Sequence, residues 1–174
     1  LRVLNEALET SREEIQATNE SLTIVNQEII ELNRKVTESR DYAEAIVATV
    51  REPLLILDKD LRVKTANSSY YQLFQVSRLE TEGKLIYEAD NEQWNIPALR
   101  RLLENILPEK STFRDFELNH TFSNIGERTL LLNAREIRKE DNSEKLILLA
   151  FEDITEQRRA EEIQSQIKKR FQFI

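Results

Sequence analysis

The sequence predicts an α+β domain carried between two amphipathic helices, a long one before it and a shorter one after it. Three patterns predict this. Residues 1–50 hold neither Gly nor Pro and keep one heptad phase throughout. Residues 51–155 hold both Gly residues and all three Pro residues, and they alternate as two short strands, several short helices and three longer strands. Residues 156–174 return to helical spacing.

With Leu1 at heptad position a, the a series reads Leu1, Leu8, Ile15, Leu22, Ile29, Val36, Ala43 and Val50, all apolar. The d series reads Leu4, Ser11, Thr18, Val25, Leu32, Ser39 and Ile46. A sustained 3.5-residue repeat keeps one seam facing a partner, which is the signature of a left-handed coiled coil. The seam residues are Leu8, Ile15, Leu22, Val25, Ile29, Leu32 and Val36. At 1.5 Å per residue such a helix is roughly 75 Å long. Its stripe of Leu and Ile requires cover, and a second copy in parallel is the simplest cover. Three polar d layers and the Asn residues at e weaken the seam. A marginal seam suits either a spacer or a relay helix that shifts between packings.

Pro53 ends this helix near Arg51. Residues 53–57 then form an apolar strand, 58–60 a turn and 61–65 a second strand, together a hairpin. Asn67 is placed to cap a helix over 68–74, and Ser77 with Glu80 forms a capping box for another that Gly83 ends. Pro97 opens a helix over 98–107, closed by Pro108. Strands follow at 113–122, 128–137 and 145–151, the last two joined by a turn at 140–143. The near-continuous apolar run of the last strand fits the middle of a sheet covered on both faces. The expected divisions are a coiled-coil helix over 1–50, the α+β domain with a five-stranded antiparallel sheet over 51–155, and the start of a C-terminal helix over 156–174.

Composition narrows the function. With no Cys, disulfides, thiolate metal sites and cysteinyl nucleophiles are excluded. The lone His120 excludes a multi-histidine metal site. No apolar run approaches the length of a membrane span. The net charge of −7 argues against nucleic acid, since neutralising phosphates needs clustered cations. The chain starts at Leu1 without Met, as expected for a piece of a longer, cytoplasmic protein. Asp115, Glu117, Glu152 and Asp153 are the nearest approach to paired carboxylates, and their alternation is that of half-solvated strands, so no catalytic site and no metal site is expected. Tyr70, Tyr71, Phe74, Trp94 and Asn133 are candidates to line an internal ligand cavity between helices and sheet, or simply to fill the core. Asn133 interrupts an apolar strand, so its amide needs a hydrogen-bond partner. Thr155 is placed to cap the last helix, with Asp153 favouring the positive end of its dipole.

The order of elements, with Asp153-Ile154-Thr155 leaving the last strand, resembles a PAS sensor domain over about residues 43–155. Residues 4–11 and 14–20, the Trp94-Asn95-Ile96-Pro97 string with its flanks, and residues 130–135 resemble the linker and PAS segment of chemotaxis-type methyltransferase/methylesterase fusion proteins, which often carry a sensor histidine kinase output. The resemblance implies a non-catalytic sensor and relay in bacterial two-component signalling. Its partners would be a second copy and the flanking modules of its own chain. Asp153, Ile154 and Thr155 would form the turn that couples sheet to output helix. No cofactor is expected. Haem-binding PAS domains take their axial histidine from the long helix, which has none here, and flavin-adduct photoreceptors need a cysteine. A small-molecule ligand is left open and unspecified. The alternative is a dimerisation spacer with a filled core and no ligand.

Overall fold

The computed structural model describes residues 1–138 and 144–172. The chain divides into two units, Leu1–Thr49 and Val50–Ile174. The first is a single helix, α1 (Arg2–Thr49), without interruption. The seven seam residues are 48–61% exposed within the single chain. Packing rather than propensity stabilises most helices, so this stripe is where α1 has stability to gain.

The second unit is a five-stranded sheet with helices on one face. The strands are β1 (Leu54–Asp58), β2 (Val63–Ala66), β3 (Thr112–Phe122), β4 (Gly126–Arg138) and β5 (Lys145–Asp153). Their order is β2-β1-β5-β4-β3, every neighbouring pair antiparallel. The first and last strands are therefore central neighbours, with Leu55 opposite Leu149 and Leu57 opposite Ile147. Alternation sends Leu55, Leu57, Ile147, Leu149 and Phe151 into the core. The helical belt comprises α2 (Ser68–Phe74), α3 (Arg78–Thr81), a one-turn segment Asp90–Glu92, α4 (Pro97–Arg101), a π-helical turn Leu102–Ile106 and α5 (Leu107–Lys110). The last helix is α6 (Thr155–Gln172). The turn expected at 140–143 lies outside the described residues.

Three local departures from the sequence reading have physical causes. β2 begins at Val63 rather than Leu61, because Leu61 has a φ of 61° and its N–H still closes the turn onto the Asp58 carbonyl. Asp58 Oδ1 also accepts from the N–H groups of Asp60 and Arg62. The helix from Pro97 does not stop before Pro108. Its π turn bonds Leu107 N–H to the Leu102 carbonyl, five residues back. This wider turn accommodates a proline that lacks its own donor, and the helix continues to Lys110. β3 does not alternate simply. A bulge between Phe113 and Phe116 inserts an extra residue, with Asp115 at φ 56°. Phe113 and Phe116 consequently share the core side of the strand, packed against the core cluster.

The segment Asp90–Glu92, to which the sequence reading assigned no element, is a left-handed turn with φ values of 53°, 60° and 60° and no glycine. Left-handed backbone costs an L-residue roughly 1–2 kcal/mol. Glu92 is exposed, so Glu92→Gly is expected to stabilise the domain by about 1 kcal/mol by removing the Cβ clash. Urea denaturation measures this, and an unchanged or lower midpoint would show that the turn stores no strain.

Candidate functional site

Three clusters meet the sequence-predicted residues: an aromatic core, a buried carboxyl group beneath it, and the paired segments where the chain enters and leaves the domain.

Tyr70 and Phe74 stand on the buried face of α2, one turn apart. With Trp94, Phe122 and Phe151 they form one aromatic cluster, each ring 0–1% exposed. Ring centroids lie 4.8 Å apart for Tyr70–Phe74, 4.9 Å for Phe74–Trp94, 5.0 Å for Trp94–Phe151 and 5.1 Å for Trp94–Phe122. These are contact distances for tilted and edge-to-face rings. The space between belt and sheet at this point is filled by side chains.

Of the five cavity candidates, the structure brings together Tyr70, Phe74 and Trp94. Tyr71 turns to the rim of α2, where its hydroxyl donates to Glu82 Oε1 at 3.1 Å. Burial, with the Glu82 bond adding to it, pushes its pKa up to about 12. Asn133 is not among the core aromatics. It alternates with the buried Leu132 and Ala134 and so takes the opposite face of the sheet. Its amide has a specific task there, since Oδ1 accepts the N–H of the bulge residue Asp115 at 2.9 Å. The anomalous Asn in an apolar strand thus satisfies the donor that the bulge orphans.

Sequence reasoning missed Asp90, which is 2% exposed. Its Oδ2 accepts from the Tyr70 hydroxyl at 2.6 Å and from Trp94 Nε1 at 3.2 Å, and its Oδ1 accepts from the Thr81 hydroxyl at 2.5 Å. Trp94 Nε1 also donates to the Tyr70 oxygen at 2.8 Å. Burial first, and then the Asp90 charge, holds the Tyr70 hydroxyl well above its ordinary range, so Tyr70 remains a donor. The network ties α2, α3 and the left-handed turn to one another. The sequence carried no signal for it, since Asp90 stands in a polar stretch with Glu88, Asn91, Glu92 and Gln93.

The segments entering and leaving the domain are joined by hydrogen bonds. Asn67 Oδ1 accepts from Tyr70 N–H, capping α2 as expected, and also from Leu54 N–H. Its Nδ2 donates to the Glu52 carbonyl at 2.9 Å, while the Ser69 hydroxyl donates to the Val50 carbonyl at 3.0 Å. On the next strand Phe151 N–H donates to the Pro53 carbonyl at 3.0 Å. A groove of about 810 Å³, with Pro53, Leu73 and Phe151 among its walls, runs beside this junction to Asp153.

At the exit, the capping oxygen is not the one the sequence suggested. Asp153 Oδ1 accepts both the N–H and the hydroxyl of Thr155. The Thr155 hydroxyl in turn accepts from Thr129 N–H of β4 at 3.0 Å, and Ile154 N–H donates to the Thr129 carbonyl at 2.9 Å. Arg128 Nη1 lies 3.3 Å from Asp153 Oδ2. Asp153 therefore caps α6, and Thr155 stitches the helix start to β4. Ile154 is buried between them.

The remaining candidates do not converge. Asp115 sits in the bulge, Glu117 pairs with Arg158 at 2.6 Å, and Glu152 is exposed. His120 packs edge-on against Phe122, centroids 4.9 Å apart, and partial burial lowers its pKa. Among the described residues no cluster of His, Cys, Asp or Glu has the arrangement of a metal site, and no helix is long and apolar enough to cross a membrane.

Comparison with known proteins agrees with this architecture. A family model described as the PAS fold matches residues 47–159, well over half of the chain. The chain belongs to the PAS fold family. The PAS domain of BvgS from Bordetella pertussis is similar at a TM-score of 0.53 and 21% identity, over 76% of this chain and 98% of that one. A PAS domain from a two-component sensor histidine kinase gives 0.54 and 9%, over 68% and 98%. One from Colwellia psychrerythraea gives 0.55 and 12%, over 70% and 98%. At these identities the likeness is one of fold. A search of curated proteins gave no match. The PAS match takes in the Val50–Pro53 approach and the Asp153–Thr155 turn, so both junction segments belong to the family's unit.

Proposed function

We propose that the chain is a non-catalytic PAS sensor and relay module of a larger bacterial signalling protein, of the chemotaxis-type methyltransferase/methylesterase or sensor histidine kinase kind. In this reading two copies pair in parallel through the α1 seam, and a change in that pairing passes through the domain to α6. The observation that carries it is the adjacency of β1 and β5. The segment following α1 and the segment preceding α6 sit on hydrogen-bonded neighbours, Pro53 against Phe151. A displacement of one is felt by the other without crossing the core. The Asp153–Thr155 turn converts a shift of β5 against β4 into a change at the start of α6. The aromatic core favours a module without a bound cofactor, because its rings occupy the site between belt and sheet.

Native mass spectrometry of the whole chain, with a denatured control, is expected to give a dimer at bare mass. Leu22→Asp with Ile29→Asp is expected to give a monomer whose Ile154 and Thr155 amides exchange about tenfold faster. A monomeric wild type would overturn the pairing. Unchanged exchange in the seam variant would overturn the relay and leave a spacer.

A further inference from the structure

The start of α6 is attached to three strands in succession. It is continuous with β5, and it is held to β4 by the two bonds at Thr129. The third attachment is a side chain one turn into the helix. Arg158 Nη2 lies 2.6 Å from Glu117 Oε2 on β3, and Nη1 lies 2.7 Å from Glu161 Oε2 on α6. Its Nε is buried with no acceptor. Both arms of the planar fork are thus committed, one to the helix and one to the sheet, with the third nitrogen shielded between them. A planar guanidinium used in this way fixes direction as well as distance. Arg159, the next residue, pairs among the described residues with Glu156 of its own helix.

We propose that Arg158 and Glu117 are the positioning pair that sets the direction of the output helix. This rests on the relay reading and names the residues that regulate it. Two attachments close to the helix start leave α6 free to swing about them. A third on a different strand fixes the swing. Both side chains are partly solvated, at 42% and 37% exposure, and pairs of this kind contribute little to folding stability. The pair therefore governs orientation without governing whether the domain folds, and any shift of edge strand β3 reaches α6 through it.

The absence of cysteine allows spin labels at Thr121→Cys on β3 and Ser165→Cys on α6, both exposed. Labelled chain diluted in unlabelled chain isolates the intrachain distance by pulsed electron resonance. The distribution is expected to broaden about twofold in Glu117→Gln and in Arg158→Gln, with the thermal midpoint unchanged. Arg159→Gln is expected to leave it narrow. High salt, by screening the pair, is expected to broaden the wild type and Arg159→Gln, which keep it, and to leave Glu117→Gln and Arg158→Gln as they are. An unchanged distribution in Glu117→Gln, or equal broadening in Arg159→Gln, would overturn the proposal. Neither result touches the exchange of Ile154 and Thr155 on which the relay is judged.

Discussion

Asp90→Ala is expected to destabilise the domain by about 3–5 kcal/mol, since hydrogen bonds to a charged group contribute roughly 1.5–3 kcal/mol each and second acceptors offset part of the loss for two of the three donors. Three bonds to one carboxyl group are lost in one step: the Tyr70 hydroxyl loses its acceptor outright, while the Thr81 hydroxyl keeps the Ser77 carbonyl and Trp94 Nε1 keeps the Tyr70 oxygen. The left-handed turn also loses its anchor, and alanine tolerates that backbone less well than aspartate. Against a total stability of about 5–15 kcal/mol for an ordinary domain, the loss is a large fraction. Tyr70→Phe removes a single donor and leaves Asp90 with Thr81 and Trp94, so it is expected to cost only about 1–2 kcal/mol. Urea denaturation followed by circular dichroism ranks the two. If Tyr70→Phe costs as much as Asp90→Ala, the carboxyl group is not the hub of the network.

Phe74→Ala carries the second large effect, about 3–5 kcal/mol by the usual cost of truncating a buried aromatic side chain. Phe74 contacts four other rings: Tyr70, Trp94, Phe122 and Phe151. Two of them, Trp94 and Tyr70, are not free to collapse inward, because both are also held through Asp90. The variant should therefore keep an apolar void in place of the ring, and such voids take up small hydrocarbons. Benzene is expected to raise the thermal midpoint of Phe74→Ala and not of the wild type. A wild type stabilised as strongly would mean that the native interior already holds room for a ligand. If Phe74→Ala does not fold, Phe74→Leu, with a smaller void and a smaller loss, measures the same packing.

Much of this architecture was readable because its determinants are local. Heptad phase gave α1, Pro53 gave its end, Asn67 and Ser77 gave the starts of two short helices, and alternation gave the strands. The asparagine cap was right in kind, while its second set of bonds, to the segment entering β1, required knowing that Leu54 lies beside it. What stayed hidden depends on partners far along the chain. Asp90 is explained by Tyr70, 20 residues earlier, together with Thr81 and Trp94, and Asn133 by a bulge 18 residues earlier. The left-handed turn had no glycine to announce it. The π turn was masked by a proline that ordinarily ends a helix, because a wider turn was not part of the reading. At the exit, the reading placed the cap on the Thr155 hydroxyl, whereas the Asp153 carboxylate caps and the hydroxyl reaches sideways to β4.

The sheet order has an architectural corollary. Because the first and last strands of the domain are neighbours, the chain leaves beside where it came in. A domain wired in this way behaves as a cassette. It can be spliced into a continuous helix, removed, or repeated in tandem, and the pieces on either side need little new linker to rejoin. The Pro53–Phe151 bond marks the two ends of that cassette. A chain that gains or loses one such unit keeps the entry and exit points of the remaining ones side by side.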